Sequence, residues 1–465
     1  MIRIEFCGAV GEVTGSGCLV HSDAATVLVD FGAFQGGGDA RERSAALGPV
    51  RPGSLDAVLL SHAHIDHSGR LPLLMAAGYA GAVHATPATL DLATLLLADL
   101  GRIQEADLAR ENRRRRRAGL APLRPLFDAA DVQRVRDRGR ALPYGRWQEV
   151  APGVTARLAD AGHILGSASI ELAVGSGDSR RVLVFSGDLG PCGAPILRDP
   201  QRPQAADLVV MESTYGGRDR EPQARTLARF RDILREAVRS RARIIIPAFA
   251  VGRTQLLLFH VAEAIREGVI PQLPVYLDSP MATAATLAYM RHQDLYDEEL
   301  GGLVRSGQIR QDLQSLRVVE SVEESRSLNE REEACIIISA SGMCDAGRVV
   351  HHLRHALWRE NAHVILPGYM APGTLGRALA DGARQVEIFG EPLVVRATVH
   401  HLSGFSAHAG QGELLDWLAD VAARRPRVVL THGDDAARLA LRERIHVRYG
   451  ISAECPAPGS EIRLD

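Results

Sequence analysis

The sequence predicts an α/β protein of two domains, and three observations carry that prediction. At 465 residues the chain is long for one hydrophobic core. From about Gly217 onward, short apolar strands alternate with helical stretches, the pattern of a mainly parallel sheet covered by helices. On both flanks of that region, apolar strands end in histidine or a carboxylate, so chemistry gathers at strand tips.

Composition narrows the class. Hydrophobic residues make up 46% and charged residues 24%, enough for sizeable cores and against disorder. The net charge of −2 neither demands nor excludes a polyanionic partner, so any such attraction has to be local. The chain has no lysine, and its phosphate contacts would therefore be the planar, often bidentate ones of arginine. Six scattered cysteines without a CxxC pair suggest reduced thiols and a cytoplasmic protein. No signal peptide precedes Ile2-Arg3-Ile4 and no apolar run is long enough for a bilayer, so no membrane is expected.

In chain order, residues 2–31 read as three strands punctuated by glycines, the third ending at Asp30. Asp30 is either an ordinary turn acid or a group that orients a metal ligand. The buried run Ala57–Leu60 leads into Ser61-His62-Ala63-His64-Ile65-Asp66-His67, three imidazoles and a carboxylate within six positions. Zn²⁺ takes such nitrogen and oxygen ligands. In an extended segment His62 and His64 point the same way, while Asp66 and His67 lie past the turn and can grip a second ion. A solvated surface cluster is the plain alternative, disfavoured by the buried strand that carries it.

A short helix is expected over Gly69–Ala77. A longer one is expected from Thr86 to about Ala109, with Thr86 as N-cap and Pro87 in the first position. Arg113–Arg117 then form an unbroken run, which reads either as a solvated helix end or loop or as an RNA contact. His163 sits in a glycine-flanked turn. The strand Arg181–Phe185 ends in Ser186-Gly187-Asp188, and Asp207–Met211 ends in Glu212.

In the alternating region, strands are expected over 243–246, 274–277, 335–338 and 364–366, with helices over 223–240, 252–266 and 347–358. Several strand-to-helix turns there are rich in small residues. Arg253, Arg348 and Arg377 each sit near one, which suggests a phosphate-binding surface. The stretch 301–333 shows no period. A strand over 394–399 is followed by Gly404-Phe405-Ser406-Ala407-His408, a helix over 410–422, and a strand 427–430 ending in Thr431-His432. His400 and His401 are taken as structural or peripheral.

On chemistry, His62, His64 and His163 would hold one ion and Asp66, His67 and His432 the other, with Asp188 shared. A hydroxide between two such ions is available at neutral pH.

His62-Ala-His-Ile-Asp-His67, the loop histidine His163, the Ser-Gly-Asp188 tip and Thr-His432-Gly together resemble the metallo-β-lactamase superfamily. Glu212-Ser-Thr-Tyr-Gly, Phe405-Ser-Ala-His408-Ala and His432 resemble the motifs of its β-CASP branch, as do Pro247–Arg253, Ser341-Gly342-Met343 and Gly376-Arg377. Gly410 departs from the aspartate frequent after His-Ala in that branch. The resemblance implies an αββα metallo-β-lactamase sandwich in two parts, 1–214 and 396–465, interrupted by a β-CASP domain at 215–395 with a mainly parallel sheet flanked by helices.

The resemblance further implies a zinc-dependent ribonuclease using two Zn²⁺, with Mn²⁺ as an alternative, acting on single-stranded RNA. The look is of compact bacterial relatives of the endonuclease subunit of the eukaryotic mRNA 3′-end cleavage machinery. Expected metal ligands are His62, His64, Asp66, His67, His163, Asp188 and His432. Asp66, Glu212, His408 and Asp30 form the expected catalytic set, with His408 as general acid held by Glu212. Arg253, Ser341, Gly342, Arg348, Thr374 and Arg377 are expected to bind substrate. Products would carry a 5′-phosphate and a 3′-hydroxyl. Endonucleolytic and exonucleolytic action, and a homodimer, stay open. Two competing readings are a hydrolase of small esters, thioesters or lactones on the same metal core and a non-catalytic RNA-binding scaffold.

Overall fold

The computed structural model describes residues 1–36 and 39–465. The chain forms two compact units, one of Met1–Gly193, Asp199–Asp219 and His408–Asp465, the other of Ala194–Arg198 and Arg220–Ala407.

The first unit is a sandwich of two sheets. One has seven strands in the order Glu461–Leu464, Ile2–Gly8, Gly17–His21, Thr26–Val29, Ala57–Leu59, Ala82–Ala85 and Gly139–Ala141. The other has six, in the order Arg427–Thr431, Leu208–Glu212, Arg181–Phe185, Ala168–Val174, Val154–Asp160 and Gln148–Ala151. Alternate residues face the shared core, where Ile4, Val20, Val27 and Leu59 pack with Leu158, Ile170, Leu183 and Val210. The opposite residues of the six-stranded sheet, Val184, Val209 and Met211, pack with Leu414 and Leu418 of helix Gln411–Ala422 and Leu441 of helix Asp435–Tyr449.

Catalytic potential concentrates where parallel strands end together. Thr26–Val29 runs parallel to Ala57–Leu59, and Leu208–Glu212 runs parallel to both Arg181–Phe185 and Arg427–Thr431. Asp30, the Ser61–His67 loop, Asp188, Glu212 and His432 therefore follow strand ends that point one way in each sheet.

The second unit has a six-stranded, all-parallel sheet in the order Leu316–Val318, Val275–Leu277, Cys335–Ser339, Arg243–Pro247, Ala362–Pro367 and Thr398–Leu402. Ile244 and Ile246 face helices Gln223–Arg239 and Arg253–Arg266, while Ile245 faces Val349 and Leu353 of helix Arg348–Ala356. All three isoleucines are fully buried. Burial stabilises each by about 1.5–3 kcal/mol, so a sheet covered on both faces selects the continuous apolar run seen in the sequence.

Three sequence expectations need correction. Residues 398–402, assigned to the returning hydrolase segment, instead add an edge strand to the second unit's sheet. The helix capped by Thr86 does not stop near Ala109 but runs Pro87–Arg117, through all five arginines. The unpatterned stretch 301–333 contains helices Glu298–Arg305, Gln308–Asp312 and Val322–Ser327 around the strand Leu316–Val318.

Candidate metal centre

Seven side chains from four chain segments converge at the strand tips of the first unit. His62 Nε2, His64 Nδ1, His163 Nε2 and an oxygen of Asp188 form one group. Asp66, His67 and His432 form a second. In the first group, His64 Nδ1 lies 3.2 Å from both His62 Nε2 and His163 Nε2. Asp188 Oδ2 lies 3.5 Å from His62 Nε2 and 3.6 Å from His163 Nε2. In the second group, His67 Nε2 is 3.2 Å from His432 Nε2, and His432 Nε2 is 3.6 Å from Asp66 Oδ2. The other oxygen of Asp188, Oδ1, is 3.2 Å from His67 Nε2. One carboxylate thus presents an oxygen to each group.

These spacings suit zinc. Ligand atoms at the corners of a tetrahedron with bonds of 2.0–2.1 Å lie about 3.3–3.4 Å apart. His64 Nδ1 has one lone pair, and two neighbouring ring nitrogens crowd it. Hydrogen bonding accounts for one such approach and a shared cation for both. Asp188 is 2% exposed, and its Oδ1 has no hydrogen-bond partner among the described residues. A buried carboxylate oxygen left this way is costly unless a cation meets it.

The ring tautomers are set from behind. Asp30 Oδ2 accepts from His67 Nδ1 at 2.8 Å and from Ser61 Oγ at 2.8 Å, while Asp30 Oδ1 accepts the Ser61 N–H at 2.7 Å. Ser61 Oγ in turn lies 3.1 Å from His62 Nδ1 and accepts from it. Thr214 Oγ1 donates to the His432 carbonyl and so accepts from His432 Nδ1 at 3.1 Å. With each Nδ1 proton placed, the Nε2 lone pairs of His62, His67 and His432 face the centre. Asp30, open between turn and orienting roles in the sequence, makes its side-chain contacts with Ser61 and His67.

Electrostatics fit the same picture. Burial drives the His62 and His64 rings below the usual imidazole range, which keeps them neutral, as metal ligands need to be. Burial opposes charge on His67 too, but Asp188 and Asp30 outweigh it and raise that ring well above its ordinary value; the two carboxylates call for a positive charge there, and a metal ion would supply it by displacing the ring proton. Burial also works against ionising Asp66, and is overcome by His432 and His67, which bring its carboxyl down to about 2.

Glu212 and His408 sit beside Asp188. His408 Nδ1 lies 3.2 Å from Glu212 Oε1, and its Nε2 lies 4.0 Å from Asp188 Oδ2. Glu212 is 1% exposed and accepts from the backbone N–H groups of Leu189 at 2.7 Å and Thr214 at 3.2 Å. Burial disfavours charge on His408, yet the attraction of Glu212 prevails, and the ring is raised to about 9. A protonated imidazole aimed at a metal centre can deliver a proton to a leaving group.

Glycines let the ligand loops meet. A Cβ on Gly32 would stand 1.5 Å from the Asp66 carbonyl oxygen, and one on Gly190 would stand 1.8 Å from the Gly162 carbonyl oxygen. Ser61, Thr214, Gly32 and Gly190 were not singled out from sequence. Ser61 adjoins the histidine cluster and Thr214 lies within the Glu212 motif, whereas neither glycine carries a signal.

In the second unit, the expected substrate residues make the following contacts. Arg348 donates to buried Asp278 at 2.6 Å and to the carbonyls of Val319 and Glu320 at 3.1 and 2.9 Å. The Arg253 guanidinium is buried over Gly368 and donates to the Pro367 carbonyl. Both arginines hold tertiary structure. Arg377 is half-exposed and pairs with Asp381 at 2.8 Å. Thr374 caps helix Leu375–Ala380 by accepting the Arg377 N–H, Ser341 accepts the Cys344 N–H, and Gly342 lies against the Phe249 ring.

Residues 10–248 match the metallo-beta-lactamase superfamily, residues 254–379 a Beta-Casp domain, and residues 392–456 a Zn-dependent metallo-hydrolase RNA specificity domain. The chain is 38% identical over 447 residues to Ribonuclease TTHA0252 of Thermus thermophilus, covering 96% of each protein. It is 32% identical over 491 residues to Transcription termination factor FttA of Pyrococcus horikoshii, spanning all of this chain and 71% of that one. A crystal structure of a protein of unknown function from Enterococcus faecalis V583 shares the fold across both full chains, with a TM-score of 0.58 at 14% identity. The chain therefore belongs to the metallo-β-lactamase superfamily, in the branch that carries a β-CASP domain, and is a metal-dependent hydrolase.

Proposed function

We propose that this hydrolase is a ribonuclease that cuts phosphodiester bonds of single-stranded RNA with two zinc ions, leaving 5′-phosphate and 3′-hydroxyl ends. The observation that carries the reading is the placement of the His408–Glu212 pair against Asp188, the carboxylate common to both ligand groups. The match to an RNA specificity domain and the likeness to a ribonuclease support RNA as the substrate.

His62, His64 and His163 would hold one zinc and Asp66, His67 and His432 the other, with Asp188 contributing an oxygen to each ligand group. When bound, the ions supply Lewis-acid stabilisation of phosphate oxygens and a water nucleophile active near neutral pH. The protein's own part is positional and protonic. Asp30 and Ser61 keep His67 and His62 turned inward. Glu212, fixed by two backbone N–H groups, holds the Nδ1 proton of His408. His408 Nε2 then gives its proton to the departing 3′ oxygen, a poor leaving group as an alkoxide. That need favours a phosphodiester over an activated ester or thioester, whose leaving groups depart with little help. The six cysteines are all unpaired, which suits a reducing cytoplasm.

The test incubates purified protein with RNA labelled at either end, beside a chromogenic carboxylic ester, and reads product lengths and end groups. RNA cleavage with 5′-phosphate products supports the reading. Turnover of the ester with intact RNA would replace it by a small-ester hydrolase. Product lengths separate internal from end-wise cutting.

A further inference from the structure

The arginine run belongs to no part of the centre described above, and its placement is specific. Helix Pro87–Arg117 begins against the His163 loop, where Thr86 Oγ1 and Thr89 Oγ1 both donate to the Gly166 carbonyl at 2.7 and 2.8 Å. Its first turns are core, with Leu92 and Leu97 fully buried. From residue 101 to 117 only Leu108 is buried. At 1.5 Å per residue, the 31-residue helix spans about 46 Å. A rigid rod thus starts at a metal-ligand loop and carries its cationic end far from it.

The end of the rod is built, not frayed. Asn112 Nδ2 donates to the Leu123 carbonyl at 2.9 Å, and Asn112 Oδ1 accepts the Leu123 N–H at 2.7 Å. Arg115 Nε donates to the Ala121 carbonyl at 2.7 Å. Arg115 is half-buried and serves the turn, whereas Arg113, Arg114, Arg116 and Arg117 are exposed. Arg116 Nε also approaches the Asn112 carbonyl at 3.4 Å. Between Glu111 and Arg124 the chain carries six arginines against one acid, in a protein of net charge −2. Cations three and four apart on a helix repel one another. The C-terminal helix dipole offsets part of that repulsion. One or two arginines would satisfy the dipole, and four exposed ones on a preorganised tip exceed that need.

We propose that Arg113, Arg114, Arg116 and Arg117 form a remote anchoring site for the phosphates of single-stranded RNA, engaged only by chains long enough to reach from the metal centre to the helix tip. This rests on the ribonuclease reading. With phosphates about 3.4 Å apart along a stacked strand, spanning the helix takes about thirteen nucleotides. Shorter RNAs occupy the centre without touching the tip.

The test replaces all four by glutamine, keeping Arg115 and Asn112, and uses the full chain. Binding of a six-nucleotide and a thirty-nucleotide single-stranded RNA is followed by fluorescence anisotropy from 50 to 200 mM salt, with both proteins carrying His408→Ala so that the RNA stays intact. Four lost phosphate contacts should flatten the slope of log affinity against log salt by about 2 to 3 for the long RNA. Affinity for it at low salt should fall at least tenfold, with the short RNA unchanged. A four-lysine variant should keep the salt slope. Unchanged affinity and slope for the long RNA overturn the proposal, including the case where the tip instead serves a protein partner. Equal losses for both lengths overturn it too, since the arginines would then act at the centre. Failure of the ribonuclease reading shows separately, as intact RNA in the wild-type reaction.

Discussion

Replacing His408 by alanine removes the one ring that faces Asp188 from outside the two ligand groups. Its Nε2 is 4.0 Å from Asp188 Oδ2, farther than any of the ligand nitrogens quoted above, and its Nδ1 is committed to Glu212. The substitution should therefore leave both metals in place. Loss of general-acid help costs about 10² to 10⁴ in rate, or about 2.7–5.4 kcal/mol of barrier at about 1.36 kcal/mol per decade. The assay measures zinc content by elemental analysis and single-turnover cleavage of a labelled RNA. A diester with a nitrophenolate leaving group is run in parallel and should be far less affected, because that group departs without a proton. Unchanged RNA turnover would refute the role. Loss of zinc together with turnover would make His408 a ligand instead.

The raised His408 value sets a sign for pH dependence. Glu212 holds the proton on, so activity that uses it is complete well below the folded value and is lost as pH rises through it. Cations at Asp188 and Asp66 take up part of the attracting charge, which places the alkaline limb of kcat/KM below about 9. Glu212→Gln should move that limb further down, and an unmoved limb contradicts the pairing. Gly190→Ala drives a Cβ into the Gly162 carbonyl. Overpacking there costs at least about 1–3 kcal/mol and displaces His163, so zinc affinity in a chelator competition should fall while His408→Ala leaves it intact. Asp278→Ala strips the carboxylate from half-buried Arg348 and buried His352. It should cost about 3–5 kcal/mol in urea unfolding, and a loss under 1 kcal/mol would show that the network is dispensable.

Legibility in the sequence followed the range of the forces involved. The histidine and acid positions were readable because strand tips fix direction locally, and so was the parallel sheet, because two-sided burial leaves runs such as Ile244–Ile246. What escaped depends on distant partners. Nothing near Gly190 announces that the Gly162 carbonyl will press on it, and nothing near Thr214 announces His432. The Arg348 turn gives no hint of Asp278, seventy positions upstream, to which Arg348 donates. The short elements of 301–333 lack a period since part of their order comes from that same carboxylate, which accepts from Ser325 at 2.5 Å. Helix Asp435–Tyr449 and the edge strand Glu461–Leu464 were not anticipated either.

Two cations sharing Asp188 are the claim beneath every step above. Diffraction from zinc-replete crystals at wavelengths either side of the zinc edge tests it most directly. Two anomalous peaks per chain are expected, one among His62, His64 and His163 and one among Asp66, His67 and His432, each within bonding distance of a different Asp188 oxygen. A single peak, or peaks away from Asp188, would contradict it.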